Sequence, residues 1–281
     1  MPTRHTFRIR GNKVLKQYRS KRSYIREKAA LEKLSPHPFV TEIISSYHLD
    51  SPSDLKFVGI CELRYYNGCD LHDWIECHKD GSDMKFVRYV LKKIMLAYEY
   101  ASKMSIYHRD IKPENIMIDE KGIVKLIDWE LCSFNKFSSK RVGTIEYMAE
   151  EVLRGKIYEC IKSDIWSLGV LMFCIATGSR PYKQFTSEAT YSFYGFNSDE
   201  WIQAVYGFHW RTFWRSHESV ENFPLLPTSL KNCIEHMLKK EPDDRITLDD
   251  LMPHTFFDGD EYDQTEIVEM MRASVTIRPF I

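Results

Sequence analysis

Asp110 and Asn115 stand five residues apart in the run Tyr107-His108-Arg109-Asp110-Ile111-Lys112-Pro113-Glu114-Asn115-Ile116. Pro113 forbids a continuous helix there, so both groups sit on a loop. Asp128 follows eighteen residues after Asp110, in Ile127-Asp128-Trp129-Glu130 at the end of an apolar strand. Two acids and an amide converging from a loop and a strand end suit hard, oxygen-liking magnesium held together with phosphate. They also suit a carboxylate that orients a hydroxyl for in-line attack. Taken singly, each residue reads as an ordinary turn residue. The ten-residue run with a second acid at a matching distance leaves that reading little room.

Periodicity gives the elements that must position these groups. His5–Arg10 and Lys13–Gln17 alternate as a hairpin across Gly11-Asn12, and Leu55–Leu63 reads as a further strand. Ser23–Leu34 turns helical, with Ile25, Ala29, Ala30, Leu31 and Leu34 on one face, and Ser35-Pro36-His37-Pro38 ends it. Beyond Gly68 the chain is mainly helical, over Leu71–Cys77, Lys85–Met104, Ile161–Thr177 and Leu230–Lys239. Two short strands, Ile116–Ile118 and Val124–Ile127, interrupt it across the turn Asp119-Glu120-Lys121-Gly122. The expected fold is α+β and bilobal. A small β-rich lobe covers about residues 1–65, a larger helical lobe about 66–257, and a tail 258–281.

A length of 281 with 43% hydrophobic and 28% charged residues excludes a disordered or collagenous chain. Lys plus Arg number 39 against 40 Asp plus Glu, so bulk charge argues for neither nucleic acid nor membrane. Residues 1–28 hold ten basic residues and one acid, Glu27. Without a stacking motif this reads as a solvated basic face, and nucleic acid is not expected as a partner. The most apolar stretch, Ile165–Thr177, is too short to span a bilayer, and Met1–Arg10 is too polar and basic for a signal peptide. Seven cysteines without a C-x-x-C pair read as reduced, buried thiols of a cytoplasmic or nuclear protein. Twelve aromatics crowd residues 184–225, among them Phe185, Tyr191, Phe193, Trp201, Trp210, Trp214 and Phe223. Core packing is the first reading of them; a surface for a protein partner or a dimer, there or on the N-terminal lobe, is the second.

The central run resembles the catalytic loop H-R-D-x-K-P-x-N of eukaryotic-type protein kinases, and Asp128-Trp129-Glu130 resembles their Asp-Phe-Gly metal motif. Three further segments match in family order: Gly143–Glu151, Ser163–Gly169 and Glu241–Thr247. The resemblance covers roughly residues 5–257 and implies ATP and Mg2+ as cofactors. Asp110 would orient the substrate hydroxyl, Lys112 would neutralise the transferred phosphoryl group, and Thr144 would position both. Asn115 and Asp128 would hold magnesium. Glu151 and Arg245 would form an anchoring ion pair; Arg109 and Asp164 are likewise structural by resemblance. On the nucleotide side Lys16, in Val14-Leu15-Lys16, would meet the phosphates with Glu27 as its helix partner, and Lys13 is the alternative lysine. Leu63 precedes the hinge Arg64-Tyr65-Tyr66, whose backbone would meet adenine, and Asp70 falls near the ribose. Glu114 and Asp70 would pair with basic residues of a substrate.

Three departures stand out. No G-x-G-x-x-G occurs, so the first strand and the glycine-rich loop over the phosphates are not expected in this chain. Glu130 replaces the glycine of the metal motif, which reads as a metal loop biased towards one conformation. Glu150 stands where the family usually has proline. The resulting reading is an ATP- and magnesium-dependent serine/threonine protein kinase acting on basic protein substrates. A pseudokinase serving as a binding or scaffold protein is the alternative, and a small-molecule phosphotransferase is disfavoured by Gly143–Glu151 and Asp164–Gly169. The compact form resembles kinases of large DNA viruses, of the insect baculovirus type, or of reduced parasites; if viral, the protein would act in the host cytoplasm or nucleus.

Overall fold

A computed structural model of the chain describes residues 5–49, 57–181 and 209–274. Strands β1 (His5–Arg10) and β2 (Lys13–Tyr18) form the expected antiparallel hairpin, with Gly11 at φ +61° in its turn. β3 (Ile43–His48) and β4 (Gly59–Arg64) complete a four-stranded antiparallel sheet in the order β1-β2-β4-β3. β4 starts at Gly59, later than the periodicity of Leu55–Leu63 predicts. β3 went unread because it is an edge strand, half-exposed and carrying Ser45, Ser46 and His48. Helix α1 (Lys21–Leu34) is capped by Ser20, whose hydroxyl accepts from Ser23 N, and buries Glu27 along with Ala30, Leu31 and Leu34. That buried acid on an apolar face is the first sign of a site.

The larger lobe begins with β5 (Gly68–Asp70), α2 (Leu71–Cys77) and α3 (Met84–Lys103). β5, β6 (Ile116–Asp119) and β7 (Val124–Leu126) form a small antiparallel sheet at the floor of the cleft between the lobes. Two-residue strands β8 (Phe137–Ser138) and β9 (Tyr158–Glu159) pair beside the segment that leads to α4 (Glu150–Leu153). Helix α5 (Cys160–Thr177) runs through the core, and Gly178 at φ +70° ends it. α6 (Trp210–Glu218) and α7 (Thr228–Met237) pack against it, and α8 (Leu248–Leu251) buries Leu248 and Leu251 in the same core.

The α5 helix corrects the sequence reading on length. Its 18 residues are apolar enough to cross a membrane, but 89% of that window is buried inside the protein. Cys77 is exposed while the other six cysteines are buried, and all seven are free thiols. Of the aromatic-rich stretch, Phe213, Trp214 and Phe223 pack on Phe173 of α5, and Trp210 packs on Phe213, so these are core. Phe185, Tyr191, Phe193 and Trp201 lie outside the described residues. The segment after residue 257 is more than a tail: α9 (Gln264–Ser274) docks Ile267 and Met271 into the core, with Lys85 and Glu266 paired at 2.9 Å.

Candidate active site

Between the sheet of the small lobe and the β5-β6-β7 floor lies a cleft of about 860 Å3, of the size that holds a drug-sized or nucleotide-sized ligand. Phe7, Ile9, Val14 and Leu63 line its roof side, Met117 and Ile127 its floor, and Lys16, Glu27, Lys112, Asn115 and Asp128 its polar end. Phe7 and Ile9 are about half exposed, at 52% and 49%, and among the described residues no strand flanks β1 on that side.

Lys16 is the organising cation. Its Nζ donates to Glu27 Oε2 at 2.7 Å and to Asp128 Oδ1 at 2.8 Å, with Glu130 Oε2 at 4.0 Å. Burial alone would push the ammonium's pKa down; Asp128, Glu27 and Glu130 outweigh that and carry it up. Glu27 also accepts from Tyr18 OH at 2.8 Å and from Trp129 N at 3.3 Å, so every bond around it favours the carboxylate. Lys13 instead pairs with Glu62 near the surface and, unlike Lys16, is not among the residues that line the cleft.

The loop after α3 is built by buried hydrogen bonds. Asp164, at the second turn of α5, accepts from His108 N (2.9 Å), Arg109 N (2.8 Å) and Tyr98 OH (2.8 Å). Burial pushes its pKa up to about 7, against these donors. His108 is held neutral by burial: Nδ1 accepts from Asp110 N and Nε2 donates to Ile127 O at 3.0 Å, tying the loop to the end of β7. Arg109 and Asp128 both adopt left-handed backbone, at φ +64° and +58°. Asp128 lines the cleft and Arg109 adjoins Asp110, and strain of this kind clusters at functional sites.

Thr144 joins the acid to the lysine. Lys112 Nζ donates to Thr144 Oγ1 at 2.9 Å, and that hydroxyl donates to Asp110 Oδ1 at 2.8 Å. Gly143 precedes it at φ +111°, where a Cβ would stand 2.6 Å from Arg109 O, so only glycine lets the two loops touch. Asn115 Nδ2 donates to Asp110 O at 2.7 Å, which leaves its Oδ1 as the ligand-capable atom. That oxygen and the Asp128 carboxylate are a hard donor set, and they fit magnesium.

The remaining predicted residues fall around this centre. Asp70 caps α2 by accepting from Asp73 N at 2.8 Å and lines the cleft, where burial raises its pKa to about 6. Arg64, Tyr65 and Tyr66 line it too, but the Arg64 and Tyr65 amides are already engaged with Glu42 O and Asn12 O. Glu114 stands beside a second recess of about 230 Å3, and its buried Oε2 has no hydrogen-bond partner among the described residues. Arg245 grips Glu151 through both Nη atoms. Arg109 donates to Leu131 O, Cys132 O and Ser138 Oγ and makes no ion pair among the described residues. The sequence reading did not single out Tyr18, Tyr98 or Arg26; no local spacing marks them, since each partner lies elsewhere in the chain.

Comparison with known proteins gives an independent view. The Protein kinase domain family matches residues 4–257. The SNF-related serine/threonine-protein kinase of Homo sapiens is 28% identical over 233 residues, 81% of this chain and 27% of that protein. The CBL-interacting protein kinase 21 of Oryza sativa subsp. japonica is 34% identical over 164 residues, 56% of this chain and 30% of that protein. The chain thus spans under a third of the length of these relatives. They are cellular proteins and carry no argument for a viral source.

Proposed function

The chain belongs to the protein kinase family, and on that premise we propose that it is an active serine/threonine kinase, using ATP and magnesium to phosphorylate protein hydroxyls. The observation that carries the reading is the Asp110–Thr144–Lys112 bridge, whose Lys112 lines the same cleft as Lys16. Asp110 accepts and orients the substrate hydroxyl's proton, and Lys112, fixed by Thr144, meets negative charge on the phosphoryl group in flight. Lys16, locked by Glu27, presents its ammonium to the nucleotide phosphates. Magnesium, held by Asn115 Oδ1 and Asp128, would neutralise those phosphates. The Lys at position 112, and the serine/threonine names of the relatives, support hydroxyls of serine and threonine over tyrosine.

A scaffold protein without transfer is the second reading. It has no use for a strained Asp128 paired with a fully buried Lys16, and this favours the enzyme. Basic substrates are supported by the Glu114 recess, which Glu76 and Glu146 also line, though Arg180 already pairs with Glu146 at 3.1 Å. Free thiols, six of them buried, suit a reducing compartment such as cytoplasm or nucleus. The test is transfer from radiolabelled ATP to a generic basic protein, wild type against Asp110→Asn. Loss of transfer in the variant is expected; equal transfer by both, or none by the wild type, overturns the reading.

A further inference from the structure

Glu130 occupies the place where the metal motif of the family carries glycine, and its carboxylate turns inward. The side chain is 9% exposed and Oε2 lies 4.0 Å from Lys16 Nζ. With Glu27 and Asp128 it forms a cluster whose ligand oxygens all lie within 4.8 Å of one another. One ammonium therefore faces three carboxylates, and the immediate surroundings of Lys16 are net anionic. The backbone around Glu130 is also pinned. Arg26 Nη1, one residue before Glu27 on α1, donates to Glu130 O at 2.9 Å, and Glu130 N donates to Asp128 Oδ1 at 3.4 Å. The left-handed step of this loop is at Asp128, not at residue 130, so the backbone makes no demand for glycine there. The sequence is free to place a charge, and does so against the one lysine that would receive phosphate.

We propose that Glu130 is a positioning and specificity residue that makes nucleotide binding depend on a divalent cation. It holds Lys16 in a cage of carboxylates that repels bare phosphates and welcomes them only when a cation is bound between. This rests on the assignment of the cleft to ATP. Physically, phosphate oxygens approaching Lys16 must share it with Glu27, Asp128 and Glu130, and the carboxylate charges repel them at short range beside a fully buried Lys16–Glu27 pair, where screening is weak. A divalent cation reverses the sign of that interaction, because the same carboxylates then stabilise the ion that the phosphates bind. A third carboxylate deepens the repulsion of bare phosphates, whereas with the cation bound its attraction to the ion offsets that repulsion. It weakens free ATP and leaves the magnesium complex nearly unaffected, so the ratio of the two affinities is the quantity Glu130 sets. A purely structural Glu130 would change stability and both affinities together, leaving that ratio alone.

The experiment is isothermal titration of the full chain with ATP, once in excess magnesium and once in EDTA, for wild type, Glu130→Gln and Glu130→Asp. Thermal unfolding confirms that each variant is folded. The expected result is that Glu130→Gln shrinks the EDTA-to-magnesium ratio of Kd by about tenfold, ~1.4 kcal/mol, mostly by tightening metal-free binding. Glu130→Asp, which keeps the charge, retains most of the wild-type ratio. If Glu130→Gln fails to fold, Glu130→Gly is read in the same way. A folded, charge-free variant whose ratio stays within twofold of wild type overturns the proposal while the ATP reading stands. Absence of ATP binding to wild type in magnesium overturns the ATP reading and the proposal with it.

Discussion

Arg245 places Nη1 2.6 Å and Nη2 2.9 Å from the two oxygens of Glu151, a residue 94 positions earlier in the chain, and both side chains are buried. The fork-on-fork geometry fastens the segment that carries Thr144 and α4 to the body of the helical lobe. The guanidinium also donates to Lys239 O, Lys162 O and Lys240 O. The two partners are therefore not equivalent. Glu151→Gln leaves Arg245 with three carbonyls, whereas Arg245→Met strands a buried carboxylate and all three carbonyls. Each change should cost stability, with Arg245→Met at the upper end of about 3–5 kcal/mol. Urea unfolding of both variants measures this; a cost under ~1 kcal/mol for Arg245→Met would show the pair to be dispensable.

Thr144 should matter through its hydroxyl alone. It relays between Lys112 and Asp110; the lysine already stands 3.6 Å from Asp110 Oδ2, and removing the hydroxyl would free it to collapse onto that carboxylate. Thr144→Ala should lower kcat by roughly ten- to a hundredfold, ~1.4–2.7 kcal/mol, with KM for ATP little changed. Thr144→Ser, which keeps the oxygen, should restore most of the rate. Steady-state kinetics on the three proteins decide it, and equal loss in Ala and Ser variants would count against the relay.

The loop Tyr107–Ile116 was legible because the chemistry proposed for it needs fixed local spacing. Asp110, Lys112 and Asn115 are positioned within one short loop, and Pro113 marks it as a loop. Glu27 was legible through the family resemblance, as the helix partner of Lys16 with Leu31 and Leu34 following at helical spacing. Tyr98 was not, because nothing in α3 distinguishes a tyrosine that packs from one whose hydroxyl reaches Asp164 on α5. Arg26 was hidden among ten basic residues, and only tertiary folding brings it to Glu130 O. The same holds for β3, whose polar side chains mask a strand recognised by its pairing with β4.

Asp70 predicts a pH signature with two opposite signs. Burial raises its pKa to about 6 in the folded chain, against about 4 when unfolded. Its protonated form is thus favoured by folding, and its contribution to stability is full below pH ~4 and lost as pH rises through about 6. Asp70→Asn keeps an N-cap for α2 and should be more stable than wild type at pH 7, the difference fading as pH falls to ~4. If Asp70 accepts from the ribose, wild-type ATP affinity should instead fall as pH drops through about 6, a step the Asn variant lacks. Thermal unfolding and ATP titration across pH 4–8 test both, and parallel curves for the two proteins would refute the assignment.

Transfer should proceed without phosphate on the segment between Asp128 and Glu151. In the family an activating phosphate normally pairs with the arginine at Arg109, and counting back from Gly143 puts its usual place at Lys140, which carries no hydroxyl. Arg109 is already satisfied by the carbonyls of Leu131 and Cys132 and by Ser138 Oγ at 3.0 Å. The contacts that a phosphate would have to organise are in place: Glu27 holds Lys16 and Trp129 N, and Arg26 holds Glu130 O. Among the described residues no acid lines the neighbouring basic cavity. Arg22, Arg26, Arg109 and Lys140 line one cavity of about 440 Å3 beside Ser138 and Ser139. Arg22 above all, with burial, Arg26 and Arg109, pushes the Lys140 pKa down. Phosphate on either serine would relieve that repulsion, so it should raise the unfolding temperature while leaving the rate within about threefold, under ~0.7 kcal/mol. Protein made in bacteria, stripped with phosphatase and checked by mass spectrometry, is compared with a Ser138→Ala, Ser139→Ala double variant. A drop of about a hundredfold in transfer after either treatment, ~2.7 kcal/mol, would show that phosphate is required and the preformed contacts insufficient.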